Sequence, residues 1–289
     1  MAERPIVITG ASGFLGSALV TAVQRRGWPV IGVTRTPDQR TSDQVMWIRW
    51  EDAPHALVGS RGVFHAATSY GRDQPQEAIR EAIIDRPLQL ASAAIEQGIP
   101  FLSADSFFRV LPQPYEHLKP YTRAKQDFRD RMQRLAQGPV PTPFLVIYHM
   151  IGPGDHPEKG LPALVRRIVA DHGRISLTDG SQLRDFIHVD DVAEAFLAVL
   201  DGAPSLPGGV MDIPVGSGCL TSLRKALEIA QALAGSSVTL GFGDLPQRAG
   251  EPAPIVAETT WLRQHGWLPR RSLTDALQGM IHEVRHGRR

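Results

Sequence analysis

The sequence is poor in cysteine, in long apolar runs and in excess charge. Its one cysteine, Cys219, excludes an internal disulfide and a cysteine-rich metal site, and we expect no metal ligand set. No run approaches the roughly 18 apolar residues of a membrane-spanning helix, and residues 1–5 precede a strand without a signal-peptide core. With 31 basic and 30 acidic residues, the net charge of +1 gives no strong attraction to nucleic acid or anionic membranes. These absences predict a soluble cytoplasmic protein without a nucleic-acid or membrane partner.

Internal repeats and low-complexity segments are also missing, whereas the hydrophobic content of 42% is enough for a large core. The most informative stretch lies near the start. An apolar strand at residues 6–8 is followed by the glycine turn GASGFLG at residues 10–16, a helix with apolar residues at helical spacing, and a second strand at residues 30–33. This order predicts a dinucleotide-binding strand-turn-helix-strand unit rather than an ordinary strand-to-helix turn.

Each glycine of the turn has a separate use. Gly10 permits the tight turn, Gly13 lets the backbone approach a pyrophosphate, and Gly16 lets the helix press against the strand. The open amides at the helix N-terminus then face the phosphates.

The end of the second strand indicates which dinucleotide binds. A free 2′-hydroxyl is usually held by an acidic residue there, whereas a 2′-phosphate needs a cation. Arg35 ends this strand and Arg40 follows, with no acidic residue before Asp38. We therefore expect NADP(H) in preference to NAD(H). The alternative is that both arginines are only solvated.

Two later strands carry further candidate residues. Residues 62–68 form a strand that runs into small residues, which suits close approach of a cofactor to its carboxyl end. His65 on this strand could be a catalytic base, although a histidine on a buried strand more often only satisfies a hydrogen bond. A helix is expected at about residues 75–97, and the next strand at residues 100–108.

A tyrosine and a lysine follow that strand at helical spacing. Tyr121 and Lys125 lie four residues apart and therefore share one face of a helix. A phenol has a pKa near 10, and a nearby ammonium group lowers the pKa of such a phenol, which suits acid–base chemistry at neutral pH. The same lysine could hold the nicotinamide ribose.

Three stretches together resemble the extended short-chain dehydrogenase/reductases, which modify nucleotide sugars. They are GASGFLG at residues 10–16, YTRAK at 121–125 and LRDFIHVDDV at 183–192. Three more, HAATSYGR at 65–72, DSFF at 105–108 and HMIGPGD at 149–155, resemble the NDP-4-keto-6-deoxyhexose 4-ketoreductases within that group.

The resemblance implies a fold, a division of the chain and a set of site residues. The fold is an α/β doubly wound parallel sheet with a smaller C-terminal lobe. Residues 1–150 bind NADP, with a later segment near 183–202 returning to them, and residues 151–289 mainly bind a sugar nucleotide. The implied catalytic residues are Tyr121, Lys125, Ser106 and Asp105. The implied cofactor-binding residues are Gly10, Ser12, Gly13, Phe14, Leu15, Gly16, Arg35, Arg40, Ala66, Ala67, Thr68, Tyr121, Lys125 and His149. The implied substrate-binding residues are Thr68, Tyr70, Arg72, Arg184 and Arg248, of which the last two would grip the diphosphate.

The chain departs from the family pattern at the end of its fifth strand. A serine or threonine there hydrogen-bonds the substrate oxygen in the family, but Ala104 holds the aligned place. Ser106 lies on the same strand face as Ala104, so we expect its hydroxyl to take this role. The alternatives are Ser103, Thr68 or a water. The dehydratases also carry an aspartate–glutamate pair where this chain has Asp105-Ser106, so the base needed for water elimination is missing.

The favoured function is therefore reduction of a 4-keto group on an NDP-6-deoxyhexose by NADPH, in a homodimer implied by the resemblance. One alternative is a 4-epimerase that retains NAD. Another is a non-catalytic nucleotide-sensing protein, which only Ala104 supports.

Overall fold

A computed structural model describes residues 3–37, 44–69, 75–112, 118–170, 172–247, 250–251 and 253–287. The chain divides into two compact units. The first comprises Met1–Ile147, Ala193–Val215 and Thr260–Trp267, and the second comprises Tyr148–Val192, Gly216–Thr259 and Leu268–Arg289.

Strands and helices alternate along most of the chain. The strands are β1 (Ile6–Thr9), β2 (Val30–Val33), β3 (Val45–Ile48), β4 (Gly62–His65), β5 (Phe101–Ser106), β6 (Pro141–Ile147), β7 (His149–Ile151), β8 (Arg174–Leu177), β9 (Leu183–His188), β10 (Gly209–Val215), β11 (Leu220–Ser222) and β12 (Thr239–Phe242). The helices are α1 (Phe14–Arg25), α2 (Gln76–Arg80), α3 (Arg86–Glu96), α4 (Lys119–Leu135), α5 (Gly160–Ala170), α6 (Val189–Gly202), α7 (Leu223–Ala234), α8 (Thr260–Gln264) and α9 (Leu273–His286).

The first unit is built on a parallel sheet. Within the described ranges its seven strands lie in the order β10-β6-β5-β4-β1-β2-β3, and every neighbouring pair is parallel. The four residues of β1 and the four of β4 are all buried, as expected for central strands covered by helices on both faces. The predicted doubly wound α/β fold is confirmed, and its chain reversal lies between β1 and β4.

The prediction for the end of β5 was wrong by two residues. We expected the strand to continue to Phe108, but it ends at Ser106, and a 3₁₀ turn follows at Phe107–Arg109. The Ser106 hydroxyl accepts a hydrogen bond from the Phe108 amide at 3.3 Å, which favours the turn over further pairing.

The second unit has its own core. The described part of this unit contains a three-stranded sheet, β11-β9-β7, and a two-stranded sheet, β12-β8. Helices α5, α7 and α9 pack against one another around buried aliphatic residues such as Val165, Leu227 and Leu277.

The start of α6 differs from an aspartate-capped helix. Because β9 runs directly into α6 at Val189, Asp190 and Asp191 lie in the first helical turn and not at the cap. The His188 ring accepts the Asp190 amide at 3.1 Å, and the Asp191 carboxylate accepts the amides of Arg270 and Arg271.

Candidate active site

The glycine turn between β1 and α1 leaves no room for side chains at two of its glycines. Gly10 has a φ of +65°, and a Cβ there would lie 2.7 Å from the Ala67 backbone. A Cβ on Gly16 would lie 2.0 Å from the Gly10 carbonyl oxygen. Gly13, the residue before α1, is less constrained, because its Cβ would meet only that oxygen, at 3.2 Å. Gly13 is therefore open on the side where a phosphate would approach.

The N-terminus of α1 has the charge expected for an anion site. No acidic residue lies in its first turn, and its N-cap residue, Gly13, has no side chain that could occupy the helix end. Leu15 is buried, so only its backbone can serve a ligand, whereas Ser12 is exposed and its hydroxyl lies 3.4 Å from that of Thr34. The cradle thus fits the phosphates of a dinucleotide.

A buried histidine ties β1 to β4 beside this cradle. The Thr9 hydroxyl lies 2.7 Å from His65 Nδ1 and accepts the Ala67 amide at 3.3 Å. Burial, helped by the charge of Lys125, lowers the pKa of His65 to about 3. His65 is neutral at physiological pH and orders the carboxyl ends of two strands, so the structural interpretation of this residue is favoured over the catalytic one.

Arg35 follows β2 and is exposed. In the part of the chain that the structure describes, this guanidinium has no hydrogen bond or ion pair to a protein group. Its predicted contact with a 2′-phosphate stays a prediction.

Tyr121 and Lys125 both lie on α4 and are almost fully buried, with 5% and 3% of their surface exposed. Lys125 Nζ lies 6.0 Å from the centre of the Tyr121 ring and donates a hydrogen bond to the Ala104 carbonyl at 2.8 Å. Burial lowers the pKa of the Lys125 ammonium, an effect that Asp105 opposes and Arg109 reinforces. The helix therefore presents a phenol beside a partly desolvated cation.

The strand register places this pair at the same sheet edge as the glycine turn. Thr9 of β1 is paired with His65 of β4, and His65 is paired with Ser103 of β5. Gly10 and Ala104 follow Thr9 and Ser103, and Lys125 is hydrogen-bonded to Ala104. The carboxyl edge of the sheet thus carries both the phosphate cradle and the acid–base candidates.

Asp105 has a different surrounding from the one predicted for a substrate-orienting residue. Its side chain is fully buried and forms an ion pair with Arg109, which also donates to Asp212 at 2.7 Å. Arg129 of α4 donates to the same Asp212 at 3.3 Å. Burial raises the pKa of Asp105, although Arg109 and Lys125 oppose this. Arg109 thus holds this carboxylate inside the protein, and a catalytic role for Asp105 stays a prediction.

Ser106 and Ser103 lie on opposite faces of β5. Ser106 is partly exposed, whereas Ser103 is fully buried and its hydroxyl has no hydrogen-bond partner among the residues that the structure describes. Thr68 is exposed after β4, and Ala66 and Ala67 are partly exposed beside it. Of the hydroxyls considered as replacements for the family serine, Ser106 and Thr68 are accessible and Ser103 is not.

The second unit holds Arg184 on β9. Its guanidinium forms an ion pair with Glu251 and donates to the Leu183 carbonyl at 3.0 Å. About a fifth of each side chain is exposed, at 19% for both partners. A diphosphate at Arg184 would therefore have to compete with the Glu251 carboxylate.

Asp185 and His149 support this region. The fully buried Asp185 carboxylate accepts hydrogen bonds from the amides of Ser217, Gly218 and Ala257 and from the Ser217 hydroxyl. Burial lowers the pKa of His149 to about 3, helped by the charge of Arg184. His149 is therefore a neutral imidazole, packed edge-on against Phe186 with ring centroids 5.9 Å apart.

Four predicted ligand contacts lie outside the described residues: Arg40, Tyr70, Arg72 and Arg248. Three partners could be seen only in the structure: Arg109, Asp212 and Glu251. The four-residue spacing of Asp105 and Arg109 could have suggested their ion pair. Nothing in the sequence indicates that Asp212 pairs with Arg109 or that Glu251 pairs with Arg184. Across the described ranges, no helix is long and apolar enough to cross a membrane, and no three potential metal ligands come together.

Comparisons with known proteins were made for both sequence and structure. Residues 6–213 match the NAD dependent epimerase/dehydratase family. The chain is 31% identical to CDP-abequose synthase from Salmonella typhimurium, over 96% of this chain and 97% of that protein. It is 27% identical to GDP-L-fucose synthase 1 from Arabidopsis thaliana, over 94% and 90% of the two chains.

Solved structures share the fold. UDP-glucose 4-epimerase from Thermotoga maritima, solved with UDP-glucose, has a TM-score of 0.80 and 20% identity, covering 98% of this chain and 99% of that one. UDP-glucuronic acid 4-epimerase from Bacillus cereus, solved with UDP-glucuronic acid and NAD, has a TM-score of 0.81 and 21% identity, with the same coverage of 98% and 99%.

Proposed function

The chain belongs to the NAD dependent epimerase/dehydratase family and is an NAD(P)-dependent enzyme. We propose that it reduces the 4-keto group of an NDP-4-keto-6-deoxyhexose. The observation that carries the proposal is the hydrogen bond from Lys125 to Ala104, which brings Lys125 and the neighbouring Tyr121 to the sheet edge of the glycine turn. The similarity to CDP-abequose synthase over nearly the whole of both chains supports a nucleotide-sugar substrate.

The residues of the first unit have complementary roles in this proposal. Gly10, Gly13 and Gly16 would hold the pyrophosphate of the cofactor, which supplies the hydride when bound. Tyr121 donates its phenolic proton to the keto oxygen as that oxygen becomes an alkoxide, and the Lys125 charge favours the resulting phenolate. Both side chains are nearly buried, which strengthens this electrostatic effect.

Other groups complete the proposed site. Ser106 or Thr68 supplies the hydroxyl that orients the keto oxygen in place of a side chain at Ala104. Arg184 and Arg248 hold the substrate diphosphate, with Arg184 released from Glu251. His149 contributes a neutral imidazole to the cofactor.

NADP(H) is the proposed cofactor. The exposed Arg35 after β2, with no protein partner in the described ranges, supports a 2′-phosphate contact. Replacing Arg35 with Ala should weaken NADPH binding and leave NADH binding nearly unchanged, measured by fluorescence titration. An equal loss for both cofactors would contradict this assignment.

A 4-epimerase is the second candidate, because solved epimerases share the fold. The two functions differ in cofactor use. An epimerase retains its dinucleotide and needs no added reductant, whereas a reductase consumes NADPH in proportion to product. A nucleotide-sensing protein without activity is the third candidate, and it has no use for the Tyr121 phenol.

The decisive experiment incubates the purified protein with NADPH and a panel of NDP-4-keto-6-deoxyhexoses. Loss of NADPH absorbance and product configuration are followed together. We expect stoichiometric oxidation with at least one substrate, and we expect Tyr121→Phe to abolish oxidation but to retain NADPH binding. Epimerisation at C4 of an NDP-6-deoxyhexose without added reductant would instead support the epimerase, because that reaction starts from a C4 hydroxyl and not from a ketone. Unchanged activity in Tyr121→Phe would exclude the proposed proton donor. We also propose that the protein is a homodimer, which light scattering tests, and that it is located in the cytoplasm, which cell fractionation tests.

A further inference from the structure

Helix α9 carries two histidines that have no part in the proposed reaction. His282 and His286 are four residues apart and both exposed, and their ring centroids are 4.6 Å apart with the planes tilted by 48°. Residues at this spacing lie on the same face of a helix. We propose that His282 and His286 form a two-imidazole binding site for a divalent metal ion of the zinc, nickel and copper class.

The ring separation suits one metal ion between the two side chains. A zinc–imidazole bond is about 2.0–2.1 Å long, so two nitrogens on one tetrahedral ion lie about 3.3 Å apart. With the ring centroids 4.6 Å apart, rotation of the side chains alone can direct a nitrogen of each imidazole to a shared ion. The helix backbone does not need to move.

The charge distribution around the pair also favours a cation. His286 is the last residue of α9, and the carbonyl groups of a C-terminal turn carry partial negative charge. Arg285 lies on the same turn, and its guanidinium donates to the Ala234 carbonyl at the end of α7, at 2.5 Å. That hydrogen bond fixes the Arg285 charge against α7.

Residues 282–286 read HEVRH, which matches the HExxH pattern of zinc peptidases. A peptidase centre is not supported, because the Glu283 carboxylate accepts the Gly154 amide at 2.6 Å and is not placed as a base on a metal-bound water. Among the residues the structure describes, no third histidine, cysteine or carboxylate joins the pair. The site therefore binds a metal ion whose remaining ligands are solvent, without hydrolytic chemistry.

The ligand class follows from the donor atoms. Imidazole nitrogen suits zinc, nickel and copper, whereas magnesium and calcium require oxygen ligands. Binding requires neutral imidazoles, so affinity should fall as the pH is lowered and protons compete with the metal.

The proposal is tested by isothermal titration of the full chain, without a histidine tag, with Ni²⁺ and separately with Zn²⁺. We expect one site for each ion and no heat with Mg²⁺. His282→Gln and His286→Gln should each reduce affinity by about 100-fold, since each change converts a chelate into a single contact. The matched controls are His172→Gln and His55→Gln, which change exposed histidines elsewhere and should retain the wild-type affinity.

The variant Glu283→Gln tests whether metal binding depends on the glutamate of the HExxH pattern. This variant should keep the wild-type affinity because Glu283 contacts Gly154 and not the metal. Circular dichroism of each variant confirms that α9 is folded. The proposal is overturned if either histidine variant binds as tightly as the wild type, or if the His172 and His55 controls lose affinity equally.

Discussion

Ser106 and Ser103 on β5 have the same chemistry in opposite surroundings. Ser106 is accessible, whereas Ser103 is buried with an unpartnered hydroxyl. We predict that Ser106→Ala lowers kcat by about tenfold to a hundredfold, because a preorganised donor to a developing alkoxide is lost. Steady-state NADPH oxidation measures this effect.

Ser103→Ala is the matched control for the same strand. It should leave kcat unchanged, because removal of a buried, unpaired hydroxyl costs no hydrogen bond. Adding Ala104→Ser to Ser106→Ala should restore part of the lost rate by returning a hydroxyl to the family position. Equal losses in Ser103→Ala and Ser106→Ala would show that the effect is general damage to β5.

His65 makes stability dependent on pH. Its pKa is about 3 in the folded chain, against an ordinary 6.5 when unfolded, so between these values the unfolded state binds the extra proton. Stability should therefore fall as pH falls, by about 2 kcal/mol between pH 6.5 and 5 from this group. Urea unfolding at both pH values measures this effect. The free energy of unfolding of His65→Gln should fall between pH 6.5 and 5 by about 2 kcal/mol less than that of the wild type, although the variant is less stable at both pH values.

A second buried histidine bounds the expected difference. A remaining dependence is expected in His65→Gln, because burial also lowers the pKa of His149 to about 3. If His65→Gln and the wild type lose the same stability on acidification, His65 is protonated in the folded state and its assignment as a neutral residue fails.

At the scale of elements, a chain of charges joins β5, β10 and α4. Arg109 lies between Asp105 and Asp212, and Arg129 reaches Asp212 from α4. We predict that Arg109→Met destabilises the protein by about 3–5 kcal/mol, because it leaves the Asp105 carboxylate buried without its partner. Urea unfolding at pH 7 measures this loss.

Arg129→Met removes a similar side chain from the outer end of the same chain of charges. Asp212 is 31% exposed on its side chain, so the expected loss is at most about 1 kcal/mol. If both variants lose the same free energy of unfolding, the buried ion pair of Asp105 stabilises the protein no more than the partly exposed one.

At the scale of the whole molecule, local patterns predicted the fold and the family. The glycine turn, the apolar central strands and the Tyr121–Lys125 spacing are short-range signals, and both the doubly wound sheet and the family resemblance are confirmed. The limits of β5 were less predictable, since the hydroxyl of Ser106 competes with strand pairing at Phe108.

The contacts that span long sequence distances could not be predicted. Arg109 finds Asp212, and Arg184 finds Glu251, only because the fold brings distant segments together. Asp105 pairs with Arg109 only four residues away, but Arg109 also reaches Asp212 on β10, and that second contact depends on the fold. Predicting these partners requires the three-dimensional arrangement of the strands, which hydrophobic periodicity does not encode.

The proposed division of ligands between the two units makes a final prediction about the whole chain. NADPH should stabilise the protein through residues of the first unit, by about 2.7 kcal/mol at one hundred times its Kd, and a nucleoside diphosphate should add a further shift through Arg184. In thermal unfolding, Arg184→Met should keep the stabilisation by NADPH and lose most of the stabilisation by the nucleoside diphosphate. Arg35→Ala should do the reverse, since Arg35 belongs to the first unit and Arg184 to the second. Loss of both shifts in either variant would contradict this division, because it would mean that the two ligands depend on the same residues.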